Sequence, residues 1–85
     1  MIEIIYTTQA KEDIAYWEKH DRKILEKIDK LILDIQKNPF TGIGKPEPLK
    51  FQQSGYWSRR ITHEHRLVYK KVGKQLYIAQ CRYHY

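Results

Sequence analysis

The chain has 85 residues, a mass of 10.4 kDa and a hydrophobic content of 41%, which fits one domain over residues 1–85 and excludes wholesale disorder. No apolar run is long enough to span a bilayer and no secretory leader opens the sequence, so we expect no membrane partner. The net charge of +6 comes from residues 44–85, where nine Lys or Arg residues accompany two acidic ones. This asymmetry predicts contact with a polyanion, and a basic surface that serves only solubility is the alternative.

The first half of the chain predicts one strand followed by two helices. Residues 1–6 are rich in β-branched side chains and suit an opening strand. Thr7 and Thr8 then offer N-cap oxygens for a helix that runs to about His20. Asp21 can cap a second helix, in which Ile and Leu recur at helical spacing until Asn38-Pro39 ends it.

The second half predicts a loop and three strands. Residues 39–50 are rich in Pro and Gly and read as a connector, in which two prolines flank Glu47 and restrict its backbone. Strands are expected at residues 56–62, 65–72 and 75–84, with tight turns between them. The order β-α-α-β-β-β predicts an α+β fold with two helices packed on one face of a mainly antiparallel sheet.

Strand alternation assigns side chains to the two faces of this sheet. One face is apolar and should meet the helices, with Arg59 as a misfit and Tyr83 as an anchor to the core; its apolar members are Trp57, Ile61, Leu67, Tyr69, Tyr77, Ala79, Cys81 and Tyr83. Cys81 falls on the same face and is expected to be a buried, inert thiol; one cysteine also suits a reducing cytoplasm. The other face should be open, with Arg60, Arg66, Arg82 and His84 lying together on it; its members are Ser58, Arg60, Thr62, Arg66, Val68, Lys70, Ile78, Gln80, Arg82 and His84.

Arginines, one histidine and a nearby carboxylate are the groups that metal-free RNA cleavage requires. A base removes the proton of the 2′-hydroxyl, an acid protonates the leaving 5′ oxygen, and cations stabilise the phosphorane. We assign Glu47 as the candidate base, His84 as the candidate acid and Arg66 to the phosphate. Lys50 and Arg60 would add cationic contacts, and Tyr85 would stack on a base or assist at the phosphate.

Ordinary structural roles compete with each of these assignments. Glu47 can simply pair with a neighbouring lysine at the surface, and the arginines can form a solvated face. His63-Glu64-His65 invites a metal site, but a turn separates the strands there and no further ligand has suitable spacing, so we expect a solvated turn and no metal or other cofactor.

Three segments resemble one known family. Residues 38–50 (NPFTGIGKPEPLK) resemble the loop of the Txe/YoeB toxins within the RelE-like superfamily, residues 54–62 and 64–69 resemble the central hairpin, and residues 81–85 (CRYHY) resemble the C-terminus. The resemblance covers essentially the whole chain. It implies a toxin of a type II toxin–antitoxin system that cleaves mRNA in the A site of the 30S ribosomal subunit, without a metal, and inhibits translation.

The same resemblance implies residue roles and partners. The base falls on Glu47, the phosphate-stabilising arginine on Arg66 and the acid on His84, with Lys50, Arg60 and Tyr85 in support; Arg82 adds a further cation. The implied partners are a cognate antitoxin of the Phd/YefM type, the ribosome with its mRNA, and operator DNA through the antitoxin complex only. A cytoplasmic location is also expected; the sequence leaves open whether the free toxin is a monomer or a homodimer, although relatives can pair.

Two other interpretations differ in chemistry. One is a non-enzymatic inhibitor of the same fold, like gyrase-poisoning relatives, which lack this carboxylate, arginine and histidine set. The other is a basic nucleic-acid-binding module without catalysis. We further expect the end of the chain at Tyr85 to belong to the active site.

Overall fold

The computed structural model describes residues 2–49 and 55–83. Within these ranges the chain forms two helices and a five-stranded sheet. The elements are β1 (Glu3–Tyr6), α1 (Thr8–His20), α2 (Arg22–Lys37), β2 (Glu47–Pro48), β3 (Tyr56–Arg60), β4 (Arg66–Val72) and β5 (Gln75–Gln80). The predicted α+β fold, with both helices on one face of a mainly antiparallel sheet, is confirmed.

Local capping explains where the helices begin. The Thr7 hydroxyl accepts a hydrogen bond from the backbone N–H of Ala10 at 3.1 Å, and this oxygen satisfies one of the first-turn amides of α1. Asp21 joins the helices by itself: its N–H donates to the Trp17 carbonyl, and its carboxylate accepts from the N–H of Lys23 and of Ile24. Both predicted caps are therefore present.

The sheet has the strand order β1-β5-β4-β3-β2. β1 runs parallel to β5, and the other neighbours are antiparallel. The short strand β2 lies inside the segment that composition predicted to be loop, so that expectation is wrong for Glu47 and Pro48. Both residues pair with β3, Glu47 opposite Ser58 and Pro48 opposite Trp57.

The hydrophobic core lies between the sheet and the predicted apolar stripe of α2. Ile28, Leu31 and Ile35 of this helix are fully buried, and Ile32 is nearly so. The remaining buried members of the core come from α1, from the sheet and from the segments that follow two of its strands: Ala10, Trp17, Ile61, Leu67, Tyr69, Leu76, Ile78 and Cys81.

β5 differs from its prediction in two ways. It ends at Gln80, not at residue 84, and its core side chains are Leu76 and Ile78, whereas we expected Tyr77 and Ala79 to face the helices. The reason is the register of the hairpin, because Val72 pairs with Gln75 and the core residue Tyr69 pairs with Ile78, which puts the even-numbered residues of β5 on the core face. The register then shifts, since Val68 pairs with Gln80; the extra residue Ala79 bulges out of β5 and reverses the alternation, so that Cys81 is buried.

Candidate active site on the open face of the sheet

Strand register places three of the candidate residues on the face away from the helices. Arg60 of β3 lies directly opposite Arg66 of β4, and Glu47 of β2 lies opposite Ser58, two residues before Arg60. Residues that pair across antiparallel strands share a face. Glu47 is therefore separated from Arg66 by two strand spacings of about 4.8 Å across the sheet. Along the strand direction the separation is two residues of about 3.4 Å each.

The site has a small, buried floor. Glu47, Ser58 and Val68 lie side by side across β2, β3 and β4. Ser58 and Val68 are only 3% and 5% exposed. Glu47 and Arg60 are exposed, and Arg66 is half-buried. One carboxylate and two guanidinium groups thus surround a floor made of one hydroxyl and one valine.

The segment before Glu47 is attached to β3 by main-chain hydrogen bonds. The Arg60 N–H donates to the Gly44 carbonyl at 2.7 Å, and beyond β2 the Leu49 N–H donates to the Tyr56 carbonyl at 3.0 Å. Gly44 has a φ of +80°, and a Cβ built on it would lie 2.9 Å from Leu31 and 3.2 Å from the Arg60 carbonyl oxygen. Only glycine fits this close approach, which sets the path of the chain into Glu47.

Arg59 is a charged residue on the apolar face of the sheet, and the oxygens around its guanidinium explain why it can lie there. It is fully buried, and its guanidinium is surrounded by oxygens of α2, β4 and residues 38–43, the first part of the α2–β2 loop. The guanidinium donates to five oxygens, those of the Asp34 carboxylate, the Tyr69 hydroxyl and the carbonyls of Asn38, Thr41 and Ile43. The Tyr69 hydroxyl in turn donates to the Pro39 carbonyl at 2.7 Å.

The pKa values of two side chains in this Arg59 network, Asp34 and Tyr69, are shifted. The hydrogen bond from Arg59 holds the pKa of the Asp34 carboxyl below its ordinary value. Burial raises the pKa of the Tyr69 hydroxyl, although Arg59 acts in the opposite direction. Asp34 therefore stays ionised, so that the buried guanidinium keeps its counter-charge at neutral pH.

The C-terminal segment, residues 81–83, is held by α1. Cys81 donates its N–H to the Asp13 carboxylate at 3.0 Å, and its carbonyl accepts from the Trp17 indole at 2.8 Å. Both main-chain groups of Cys81 are therefore bonded to helix side chains just past the end of β5. The Cys81 thiol is fully buried as predicted, and burial raises its pKa to about 12.

Tyr83 connects this segment to β4. Its N–H donates to Nδ1 of His65 at 2.7 Å, and its carbonyl accepts from the Arg66 N–H at 3.1 Å. The predicted core anchor is wrong, because the Tyr83 side chain is 57% exposed and its φ of +67° takes it out of strand geometry. His65, which we expected in a solvated turn, is half-buried against the Trp17 ring, 4.7 Å between centroids.

Arg82 does not lie beside Arg60 and Arg66. Its guanidinium carbon is 3.4 Å from the centroid of the Tyr16 ring on α1 and 4.4 Å from that of Tyr83. The expectation that Arg82 shares the open face is therefore wrong, because the bulge at Ala79 and the Cys81 hydrogen bonds redirect the chain after β5.

Three candidate residues, Lys50, His84 and Tyr85, lie outside the described residues. Within residues 2–49 and 55–83, no group of three His, Cys, Asp or Glu side chains is arranged to hold a metal ion. In the same part of the chain, no helix is long and apolar enough to cross a membrane.

Sequence reasoning missed three of the side chains that hold the two segments flanking the site. Arg59 carried a signal, since a charge on an apolar strand face needs an internal partner. From the sequence, Asp13 is a charge near the start of α1 that suits the helix dipole, and Trp17 is an apolar residue at helical spacing. Nothing local in the sequence indicated that both bind the main chain of Cys81, 68 and 64 residues away.

The chain has the RelE-like fold, in which two helices pack on one face of the sheet. In this chain the other face carries a carboxylate and two arginines. A solved YoeB dimer from Staphylococcus aureus superposes with a TM-score of 0.94 at 47% identity, and covers 99% of this chain and 98% of its own. A heterotetrameric YoeB–YefM toxin–antitoxin complex from the same species gives a TM-score of 0.90 at 46% identity, with 100% and 99% coverage.

Sequence comparison identifies the family within that fold. Residues 6–85 match the family described as YoeB-like toxin of bacterial type II toxin–antitoxin system. The YoeB toxin of Streptomyces coelicolor is 55% identical over 82 residues, 96% of this chain and 98% of that protein. The chain belongs to the YoeB-like toxin family, as its motifs predicted.

Proposed function

We propose that this toxin is a ribosome-dependent, metal-independent endoribonuclease that cleaves mRNA in the ribosomal A site and inhibits translation in the cytoplasm. The observation that carries the proposal is the register that sets Glu47, Arg60 and Arg66 on one face above a buried floor. The C-terminal segment that precedes His84 is hydrogen-bonded to Arg66 through the Tyr83 carbonyl, which supports a site at this edge.

The reaction uses the nucleophile that RNA itself carries. The Glu47 carboxylate takes the proton of the 2′-hydroxyl, and the 2′ oxygen forms a bond to the adjacent phosphorus. The bond from phosphorus to the 5′ oxygen breaks, and that oxygen receives a proton from the His84 imidazolium. The products are a 2′,3′-cyclic phosphate and a 5′-hydroxyl, no water is consumed, and DNA without a 2′-hydroxyl does not react.

Cations stabilise the charge that develops on the phosphorane. Arg66 contributes the main contact, and its main-chain hydrogen bond to Tyr83 restricts where its backbone lies. Lys50 and Arg60 add contacts to neighbouring phosphates, Arg82 adds positive charge from the side of α1, and Tyr85 assists at the phosphate or stacks on a base. The charge surplus of residues 44–85 supplies long-range attraction to RNA.

Primer extension on a translated mRNA, with and without ribosomes, tests the chemistry. We expect cleavage only with ribosomes, and a loss of about 10²–10⁴-fold in rate for Glu47→Gln and for His84→Ala. Arg66→Ala should lose about 10²–10³-fold. Glu12→Gln and Arg22→Ala, exposed substitutions on the helices, serve as matched controls and should cut normally. Growth arrest without any cut would favour the non-enzymatic inhibitor.

We also propose that a Phd/YefM-type antitoxin binds and neutralises this toxin, that the complex binds operator DNA, and that the toxin forms a homodimer. The similar proteins from Staphylococcus aureus, solved as a YoeB dimer and as a YoeB–YefM heterotetramer, support these assemblies. Light scattering of the toxin alone and with a co-expressed antitoxin measures both stoichiometries. Operator binding should require the antitoxin, and toxin that shifts operator DNA by itself would contradict the proposal.

A further inference from the structure

A cavity of about 290 Å³ lies between α1 and the segment that follows β5. It begins where β1 stops: the last β1–β5 pair is Tyr6 with Ile78, and Thr7 then binds the carbonyls of Ile78 and Ala79 before the chain turns into α1. Past Ala79 the edge of β5 is therefore no longer covered by β1. The lining residues are Gln9, Asp13, Gln80, Arg82 and Tyr83. The volume lies near the lower bound, roughly 300 Å³, of pockets for small ligands.

Two of the lining residues, Arg82 and Tyr83, belong to an aromatic and guanidinium stack. Arg82 lies over both the Tyr16 ring and the Tyr83 ring, and Tyr16 also contacts the His20 ring with 4.3 Å between centroids. The stack therefore continues from α1 to Tyr83, which presents a ring that is 57% exposed. Guanidinium planes and tyrosine rings are the surfaces on which unstacked bases of RNA are bound.

Tyr83 is held in an unfavourable backbone conformation although its ring is exposed. Its φ of +67° lies in the left-handed region, which a bulky residue seldom adopts. The hydrogen bonds to His65 and to the Arg66 N–H maintain that conformation. A tyrosine kept in this geometry without burial indicates a binding function for the ring, since such strain concentrates at ligand sites.

The polar lining favours a neutral planar ligand over a bare anion. Asp13 places a carboxylate at the cavity, and its two oxygens already accept from Gln9 and from the Cys81 N–H. A phosphate at this position would meet that negative charge. Gln80 contributes an amide with both donor and acceptor atoms, which suits the hydrogen-bonding edge of a nucleobase.

We propose that this cavity binds the base of a nucleotide that flanks the scissile phosphate of RNA, stacked on the exposed ring of Tyr83, with its edge recognised by Gln80. The proposal rests on the proposed ribonuclease function. Proximity supports it, because the Tyr83 carbonyl that borders the cavity is bonded to the main chain of Arg66. The residue that carries the stacking ring is therefore attached directly to the strand residue assigned to the phosphate.

Cleavage kinetics test the subsite on wild type and three variants. Tyr83→Leu removes the ring and keeps apolar bulk, so we expect KM on ribosome-bound mRNA to rise about 5- to 100-fold with kcat little changed, the range that loss of one base stack implies. Tyr83→Phe should restore the wild-type KM. Phe40→Leu, at an exposed aromatic of the α2–β2 loop, is the matched control and should leave KM unchanged.

Base preference provides a second readout. Gln80→Met keeps the length of the side chain and removes its amide, so the distribution of cut sites should change at one nucleotide beside the cleaved bond. Equal KM and equal cut sites in wild type, Tyr83→Leu and Gln80→Met would overturn the subsite while leaving the nuclease assignment intact.

A binding experiment decides the subsite without any cleavage. Wild-type protein is titrated with the four nucleoside 5′-monophosphates and with inorganic phosphate, and the amide resonances of Gln80 and Tyr83 are followed by NMR. We expect shifts with at least one nucleotide and none with phosphate alone. Equal shifts with phosphate, or no shift with any nucleotide, would overturn the proposal. Failure of wild type to cut mRNA would remove the nuclease assignment alone, because the titration still reports on the cavity.

Discussion

Two segments flank the candidate site, and the protein holds them by different means. The α2–β2 loop, which leads to Glu47, is organised around one buried ion, the Arg59 guanidinium with its five oxygen acceptors. The C-terminal segment is held by separate hydrogen bonds: the Asp13 carboxylate accepts from the Cys81 N–H, the Trp17 indole donates to the Cys81 carbonyl, and His65 accepts from the Tyr83 N–H. A single substitution should therefore release the whole loop, whereas substitutions at the C-terminal segment should each remove one of its hydrogen bonds.

The largest expected effect is on the loop. Arg59→Ala leaves three loop carbonyls without their donor, and since each unsatisfied acceptor costs about 1–3 kcal/mol, the free energy of unfolding should fall by about 3 kcal/mol or more. Arg60→Ala, the exposed neighbour on the other face, should change it by no more than about 0.5 kcal/mol. Urea denaturation of both variants measures the difference, and similar midpoints would refute the central role of Arg59 in the loop.

A smaller effect is expected at the C-terminal segment. Asp13→Ala leaves the buried Cys81 N–H without an acceptor, which should cost about 1–3 kcal/mol. Amide hydrogen exchange at Cys81 should accelerate more than exchange at Leu67 in β4, because the hydrogen bond that Asp13 makes is local to residues 81–83. Glu12→Ala, an exposed neighbour on α1, is the control. Uniform acceleration across the sheet would instead mean that Asp13 supports the whole fold.

The ion pair of the loop also predicts a dependence on pH. The folded pKa of Asp34 is depressed, so its stabilising contribution is present above the unfolded value of about 3.9 and is lost as the pH falls through the folded value. Asp34→Asn keeps an oxygen acceptor for Arg59 and removes only the charge. The stability difference between wild type and this variant should be constant near pH 7 and shrink below about pH 4. Asp29→Asn, on the exposed side of α2, controls for the loss of a carboxylate.

The smallest effect concerns the Cys81 thiol. With a pKa of about 12, only about one thiol in ten thousand is ionised at pH 8, and the group is fully buried. A thiol reagent should therefore label the folded protein very slowly and the urea-unfolded protein rapidly. The two variants are compared under conditions in which they have the same free energy of unfolding. Asp13→Ala should then raise the labelling rate more than Arg59→Ala, because the Asp13 substitution loosens the segment that contains the thiol. Equal rates would contradict independent attachment of the two segments.

Local patterns predicted much of the fold. The caps at Thr7 and Asp21, the apolar stripe of α2 and the three long antiparallel strands follow from spacing and composition, and all are present. The shared face of Arg60 and Arg66 also follows, because five-residue β3 pairs with β4 without interruption. The motifs around Glu47 and Arg66 indicated the family, which the comparisons confirmed.

The errors concentrate where interactions between distant residues decide the structure. Alternation along β5 fails at Ala79, since a bulge depends on how β4 and β1 pair with it and not on its own residues. The predictions for Arg82 and Tyr83 fail for the same reason, because each assumed that the strand continued through Cys81.

The sequence alone determined the order of the two helices and the four longer strands, the helix caps, the α+β class and the face shared by the two arginines, because each depends on neighbours a few residues apart. Tertiary structure decided the burial of Arg59, the strand pairing of Glu47 and the course of residues 81–83. These depend on hydrogen bonds between groups that the chain brings together only after the helices pack on the sheet. Tyr83, predicted to face the core, is for that reason exposed at the edge of the candidate site.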